Sequence, residues 1–427
     1  MNEAKKLLKS SSIVFIGTLI ASLFSYLFNM MMGRLLGPTE YGEMTALMSL
    51  QTIIAVASGA ILTISMRYSG ELFNERYFDA LKKLFLFLTK YLLLIGVGIF
   101  LVCLLFLKPI ANFFSINSLM PISIVLSGVI FSLLIVINKG YFQGLQKFRS
   151  LASINILEMA LRLGLGLALV MAGLKLNGAV SAIVLATIIA YSISFLPIKR
   201  MFNKIKFHDG HSFKFDKKEI ISYTWPTLIA SLFLVASLNI DIILVKHYFD
   251  PQSAGLYAAI STVAKIILYV TAPIASVMFP MVSERKVKGD KHYQIFLFSI
   301  IITLIGAFAV LAIYMIMPGK VVSILYGPDY VSAYTLLPEV GLFVLFYSMV
   351  NLMANYYMVI KNFFFLILYF IVLVAQIVMV SYWHPSILAV IRTFILMNGV
   401  LFALLMGYYV YTKKEALLAI FKSENES

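Results

Sequence analysis

Charged residues are scarce in this sequence. Only 12% of its 427 residues are Asp, Glu, Lys or Arg, whereas 61% are hydrophobic and the mean hydropathy is +0.95. A soluble domain carries roughly 25% charged residues and cannot cover so much apolar surface. The composition therefore excludes a water-soluble globular protein and predicts an all-α integral membrane protein.

Cysteines, metal-binding clusters and nucleotide-binding motifs are also lacking. The single cysteine, Cys103, lies in an apolar run, so no internal disulfide can form. The five histidines are scattered in or beside loops, and we predict neither a metal site nor a cofactor. No G-x-x-x-x-G-K-S/T motif is present, which argues against ATP-driven transport by this chain. The longest external loop, Pro318 to Ser332, is too short for an active site, so we predict no enzyme.

What the sequence does contain is a series of apolar runs long enough to cross about 30 Å of hydrocarbon, and these predict twelve transmembrane helices. The first six are predicted at Ser12 to Gly33, Tyr41 to Met66, Leu84 to Leu107, Leu119 to Asn138, Leu151 to Leu174 and Ala179 to Ile198. The second six are predicted at Ile220 to Val245, Ala254 to Phe279, Tyr293 to Met317, Ala333 to Ile360, Phe363 to Tyr382 and Ile387 to Tyr411. We expect one bundle at residues 1–198, a cytoplasmic connector at 199–219, and a second bundle with a short cytoplasmic tail at 220–427.

The basic residues give these helices a direction. Most of the 34 lysines and arginines fall on the side that carries both termini and the connector. The other side carries only Arg34, Lys108, Lys175, Lys246 and Lys320. Since basic loops stay in the cytoplasm, we predict a multi-pass protein of the cytoplasmic membrane with both termini inside. The same distribution accounts for the net charge of +15 without a nucleic-acid partner; membrane lipids are the expected surroundings.

The two halves resemble each other. A shift of 213 positions places Pro38 on Pro251 and Gly42 on Gly255, so a turn proline and a helix-opening glycine recur at equivalent points. Each half has six helices, an even number, so both enter the membrane from the same side. The sequence thus predicts two parallel repeats related by an axis along the membrane normal.

Arg162 is one of two charges predicted near the middle of the membrane, where a charge costs about 2.5 to 3.5 kcal/mol on insertion scales. It shares a helix face with Glu158, one turn earlier. Two interpretations remain open: Arg162 and Glu158 belong to a substrate-binding cavity, or they merely neutralise each other.

Lys265 is the other charge predicted near the membrane centre. It continues a polar stripe that includes Tyr257 and Ser261 on the eighth helix. No acidic residue lies one turn away, so its partner must come from another helix, water or a ligand. We predict that Lys265, Tyr257 and Ser261 bind substrate, and that Pro273 bends the same helix.

Four further charges are predicted toward the ends of helices. Asp241 and Glu339 could couple transport to a proton or sodium ion, or pair with basic neighbours, and we leave both interpretations open. Arg34, at the outer end of the first helix, is added to the predicted substrate-binding residues. Arg392 lies close enough to its helix end to anchor at the interface.

Five segments resemble those of a known family: the polysaccharide transporters or Wzx-like oligosaccharide flippases of the MATE-like MOP superfamily. These segments are GRLLGPTEYGEMTAL from Gly33, GYFQGLQKF from Gly140, NIDIILVKHYFDPQSAGLYAA from Asn239, FPMVSERKVKGD from Phe279 and LYGPDYVSAYTLL from Leu325. Each consists mostly of Gly, Pro and aromatic residues, but all five occur in the family's order.

The resemblance implies a MATE-like fold of two six-helix bundles. It also implies flipping of an oligosaccharide linked to polyprenyl phosphate or pyrophosphate, for cell-surface polysaccharide synthesis. Arg162 and Lys265 would offset the charge of the headgroup in a central cleft, and glycosyltransferases or a polymerase of the same pathway would be partners. The two additional C-terminal helices of the related lipid II flippases are not found.

Two alternatives remain at this point. A cation-coupled MATE-type exporter of drugs or metabolites would depend on Asp241 or Glu339. A membrane-embedded glycan polymerase or ligase would need a catalytic external loop, which the sequence does not offer.

Overall fold

The computed structural model describes residues 2–204, 217–288 and 293–424, which contain helices and connections but no strand. The helices are α1 Asn2–Ile54, α2 Ala57–Asn74, α3 Phe78–Leu105, α4 Leu107–Phe113, α5 Met120–Gly144, α6 Phe148–Leu169, α7 Lys175–Lys204, α8 Lys217–Tyr248, α9 Pro251–Ala264, α10 Ile266–Lys288, α11 Tyr293–Ile316, α12 Pro318–Tyr326, α13 Leu337–Val359, α14 Phe365–Tyr382 and α15 Ile387–Glu424. Most of the predicted connector, residues 205–216, lies outside the described residues.

Ten helices in the described ranges are long and apolar enough to cross a membrane. Two of them, Ile16–Ile54 and Phe148–Phe202, have 39 and 55 residues, whereas one span needs about 20. Each is interrupted at a glycine with positive φ, Gly37 (72°) or Gly173 (89°). The all-α multi-pass prediction is confirmed. Dividing these two helices at the glycines would give twelve, and that number stays a prediction.

The first of two compact units comprises the chain up to Val235 together with Phe249–Ala258. Within it, α1 packs on α6, α2 and α7 pack on α5, and α6 packs on α7. The buried rings of Phe85 and Tyr141 meet edge to face with their centroids 5.1 Å apart. The Tyr141 hydroxyl donates to the Leu81 carbonyl at 2.9 Å, so its buried polar group is satisfied.

The GYFQGLQKF segment makes the packing of α2 on α5 possible. A Cβ added at Gly140 would lie 2.5 Å from the Cβ of Ser65, and one added at Gly144 would collide with the Ser69 side chain. Small residues of this kind let membrane helices approach closely. Packing therefore explains the two glycines of this segment.

The second unit comprises Ala236–Tyr248 and the chain from Ala259 onward. Helix α13 is central to it and packs on α10, α11 and α15, while α14 packs on α15. Buried residues occur all around α13, as expected for a helix enclosed by others. The predicted domain boundaries stay predictions.

The second helix of the first half is interrupted where α1 gives way to α2. The Val56 N–H bonds to the Ile53 carbonyl and the Ser58 N–H to the Ala55 carbonyl, three residues back instead of four. The sequence there, TIIAV, is rich in β-branched residues, which lower helix propensity. The interruption lies beside the cavity described below.

The second helix of the second half is interrupted between α9 and α10, at Lys265. The Leu268 N–H bonds to the Lys265 carbonyl, again three residues back. The helix therefore breaks at Lys265 and not at Pro273, which lies inside the continuous helix α10. Two β-branched residues precede the alanine before Lys265 and two isoleucines follow it, so this sequence too is a poor helix former.

Candidate functional site

A cavity of about 360 Å³ lies in the first unit, beside the break between α1 and α2. This volume is at the lower end of the range for ligand pockets. Helices α1, α2, α5, α7 and α8 supply its polar, uncharged side chains: Gln51, Thr52, Ser58, Ser132, Thr187 and Ser231. The charged residues of the lining are Glu158 and Arg162, both from α6.

Glu158 is neutralised by a residue from another helix. The Nζ of Lys139, near the end of α5, lies 2.8 Å from its Oε2. The hydroxyl of Thr187 on α7 donates to its Oε1 at 3.2 Å. Glu158 is 8% exposed, so this ion pair is largely shielded from solvent. The carboxylate thus has partners on both oxygens.

Arg162 forms no such ion pair in the described residues. Its guanidinium carbon lies 5.2 Å from the centroid of the Phe28 ring, which is fully buried on α1. In the part of the chain that the structure describes, its Nε is buried without a hydrogen-bond partner, and no carboxylate forms an ion pair with it. Lys139, and not Arg162, forms the ion pair with Glu158 in the described residues, so both interpretations of Arg162 stay predictions.

The charge of this site follows from these contacts. Lys139 and Glu158 cancel, which leaves Arg162 as an excess positive charge against an aromatic face. A desolvated cation–π contact is worth about 2 kcal/mol, less than the roughly 2.5 to 3.5 kcal/mol that a charge costs at the membrane centre. An anionic group in the cavity would recover the difference, so the site is suited to anions rather than cations.

The second unit contains a buried cluster around Asp241, on α8. The Ser261 hydroxyl, on α9, donates to its Oδ2 at 2.8 Å, and the Lys265 ammonium lies 3.9 Å from its Oδ1. Asp241 and Ser261 have no exposed surface, and the Lys265 side chain is 18% exposed. The partner that Lys265 required from another helix is therefore Asp241.

The other predicted residues lie in different surroundings. Tyr257 is fully buried, and Arg34 is exposed. Glu339 and Arg392 face each other across α13 and α15, with 3.5 Å between Oε1 and a guanidinium nitrogen. The roles predicted for these residues stay predictions. The described contacts show that both carboxylates proposed for ion coupling, Asp241 and Glu339, have a basic neighbour.

Two residues of the site were missed by the sequence analysis. Lys139 follows an apolar run and was assigned to the cytoplasmic side, but its long side chain reaches back to Glu158. Its place directly after the run could have suggested this. Phe28 is one of 34 phenylalanines, and nothing in the sequence distinguishes it.

The fold is similar to those of solved transporters. An inward-facing multidrug-resistance MATE transporter of the MOP superfamily matches with a TM-score of 0.72 and 14% identity, over 94% of this chain and 99% of that one. An outward-facing multidrug-resistance MATE transporter of the same superfamily matches with a TM-score of 0.65 and 16% identity, over 96% of each chain. A MOP-superfamily transporter from Pyrococcus furiosus, described as having a binding pocket of reverse polarity, matches with a TM-score of 0.64 and 16% identity, over 94% of each chain. These identities establish the fold alone.

The sequence comparisons identify the family. No curated protein sequence matches this chain. The family model described as "Polysaccharide biosynthesis protein" matches residues 7–286, about two thirds of the chain. The chain therefore belongs to the polysaccharide biosynthesis protein family, and it is a multi-pass membrane protein with a MATE-like fold.

Proposed function

We propose that this protein flips a lipid-linked oligosaccharide from the cytoplasmic to the outer leaflet of the cytoplasmic membrane by alternating access. The observation that carries this proposal is Arg162, a cation in a polar cavity with no carboxylate of the described residues in an ion pair with it, since Glu158 pairs with Lys139. The phosphate or pyrophosphate that joins such a glycan to its lipid provides the missing anion. Membership in a polysaccharide biosynthesis family supports a glycan cargo.

In the second unit, Lys265 provides another cation. Its contact with Asp241, at 3.9 Å, is longer than a charge-assisted hydrogen bond of about 2.7 to 2.9 Å. An anionic headgroup can therefore compete with Asp241 for the ammonium. Ser261, Tyr257 and Arg34 are proposed to complete the substrate contacts, and Asp241 and Glu339 to respond to the coupling ion.

Export of organic cations is less well supported. A cation exporter needs a carboxylate available to its cargo. In the described residues, Glu158, Asp241 and Glu339 each have a basic residue within 4 Å. The Pyrococcus furiosus transporter of similar fold is itself described as having a binding pocket of reverse polarity.

The proposal is tested with purified protein in vesicles that contain a fluorescent polyprenyl-linked oligosaccharide. Flipping is measured as the fraction of headgroup that becomes accessible in the opposite leaflet. The Arg162→Ala, Lys265→Ala double variant is expected to flip at least about tenfold more slowly. Lys320→Ala, which removes an exposed cation outside the proposed site, is the control and should retain wild-type flipping.

Normal flipping by the double variant would remove both residues from the site. Wild-type protein that exports dyes but flips no glycan would instead support the cation-coupled exporter. In cells, both termini of the protein should be accessible only from the cytoplasm. If glycosyltransferases or a polymerase copurify with the protein, this would support their role as partners in the same pathway.

A further inference from the structure

The break at Lys265 changes the hydrogen bonding of the last carbonyls of α9. In an unbroken helix, the N–H of residue 267 would bond to the carbonyl of Val263, and that of Leu268 to the carbonyl of Ala264. Leu268 bonds to the Lys265 carbonyl instead. A hydroxyl that donates to one of these carbonyls competes with its helical donor and favours a break there.

Tyr314 on α11 brings such a hydroxyl to α9. Its hydroxyl donates to the Val263 carbonyl at 2.8 Å, and its side chain is only 2% exposed. Gly341 on α13 makes room for the ring, because a Cβ there would lie 3.0 Å from the Tyr314 Cδ2. The hydroxyl is thus held against one carbonyl of the broken segment.

The cluster around Asp241 depends on where this break lies. Ser261 and Lys265 lie one turn apart, and the Lys265 N–H still bonds to the Ser261 carbonyl at 3.1 Å. The helix therefore remains regular up to Lys265 and breaks directly after it. If the Val263 carbonyl lost the hydroxyl, the N–H of residue 267 would be its sole donor, and the more regular helix would turn Lys265 relative to Asp241.

We propose that Tyr314 is a positioning residue for Lys265: by taking the Val263 carbonyl, it stabilises the break that holds the Lys265 ammonium toward its anionic partner. This inference rests on the proposed function only in that Lys265 then meets the anionic headgroup. The position of Lys265 itself can be measured without transport.

The chain offers a matched control. Tyr357 also donates its hydroxyl to a backbone carbonyl at 2.8 Å, that of Leu405, and it is as deeply buried in the same unit. Leu405 lies inside the continuous helix α15, where the carbonyl has a helical donor of its own. Tyr357→Phe therefore removes a bond of equal length without affecting a helix break.

The first measurement uses the single cysteine. In a Cys103→Ala background, Lys265→Cys is labelled with a sulfonate-bearing methanethiosulfonate reagent. Adding Tyr314→Phe should change the labelling rate at least about threefold, because one lost hydrogen bond shifts a local equilibrium by that order. Adding Tyr357→Phe should not change it. Equal rates in all three proteins would overturn the inference, whether or not the protein flips glycans.

The second measurement concerns transport. Tyr314→Phe should raise the KM for the lipid-linked oligosaccharide about fivefold, with kcat and thermal stability close to those of Tyr357→Phe. In a Lys265→Met background, Tyr314→Phe should raise KM no further, because it acts through Lys265. Additive effects would overturn the inference. If Tyr314→Phe does not fold, Gly341→Ala, which displaces the ring but keeps the hydroxyl, should give the same KM increase.

Failure of the two proposals can be distinguished. Wild-type vesicles without flipping would contradict the proposed function, and labelling would still decide the role of Tyr314. Wild-type flipping combined with identical behaviour of the two Tyr→Phe variants would contradict only the positioning role.

Discussion

The ammonium nitrogen of Lys139 lies 2.8 Å from the Oε2 of Glu158, so an ion pair joins α5 to α6 inside the first unit. The two side chains are 21% and 11% exposed, and the pair is therefore poorly screened by solvent. Lys139 thus provides Glu158 with a counter-ion from another helix, which the proposed role of Arg162 in anion binding requires.

Lys139→Met should destabilise the protein by about 3 kcal/mol or more, because it leaves a buried carboxylate without its partner. Glu158→Gln in the same protein removes that charge and should recover most of the loss. The midpoint of thermal unfolding in detergent measures both. A double variant less stable than Lys139→Met would show that the pair does not act as a unit.

Gly255→Ala should destabilise the first unit by about 1 to 3 kcal/mol, the usual cost of overpacking. A Cβ at Gly255 would collide with the Pro38 carbonyl, and one at Gly42 would lie 2.7 Å from the Gly255 Cα. Gly164→Ala is the control: its Cβ meets nothing within 4 Å, so the change should be neutral or stabilise by up to about 1 kcal/mol. Equal effects of the two substitutions on unfolding temperature would refute the close-packing explanation.

The Asp250 carboxyl should make the stability of the folded protein depend on pH. Its Oδ1 accepts bonds from the N–H groups of Ser253 (2.9 Å) and Gln252 (3.1 Å) at the start of α9. These bonds, that of Ser253 foremost, lower the pKa of the Asp250 carboxyl below its usual value. The stabilisation is therefore fully present above the unfolded pKa of about 3.9 and is lost as pH falls through the lower, folded pKa.

Substitution of Asp250 separates capping from charge. Asp250→Ala should cost about 1 kcal/mol at pH 7, as loss of a helix cap does. Asp250→Asn still caps the helix but does not titrate, so it should remain close to wild type at pH 7 and lose the acid-dependent part. Unfolding temperatures between pH 2.5 and 7 provide the comparison; identical profiles for Asp250→Asn and wild type would contradict the assignment.

Gln146 and Gln143 should respond oppositely to the same substitution. Gln146 has a φ of 55° in the turn after α5, where the Lys147 N–H bonds to the Phe142 carbonyl at 2.7 Å. Glycine adopts this conformation without strain, so Gln146→Gly should stabilise by about 0.5 to 1 kcal/mol. Gln143 is helical, and Gln143→Gly should cost about 1 kcal/mol. Changes of the same sign would contradict this explanation.

The membrane character and the helical fold could be predicted because hydropathy and run length are properties of neighbouring residues. The order of the loop segments likewise identified the family from sequence. The number of spans is harder to obtain, since α1 continues past Gly37 and α6 runs through a π-helical turn into α7. Pro273 predicted a bend in the eighth helix, but the helix breaks at Lys265. A run of β-branched residues and, as we propose, the Tyr314 hydroxyl determine the position of this break.

By itself, the sequence determined that apolar helices alternate with basic loops and that Arg162 and Lys265 lie within apolar runs, because these features are fixed by residues close together in the chain. The tertiary structure alone decided which charges neutralise one another. Lys139 forms an ion pair with Glu158, and Asp241 lies near Lys265. Arg162 contacts the ring of Phe28. The reason is that side-chain partners on different helices depend on helix rotation and packing, which residue spacing along one helix does not specify.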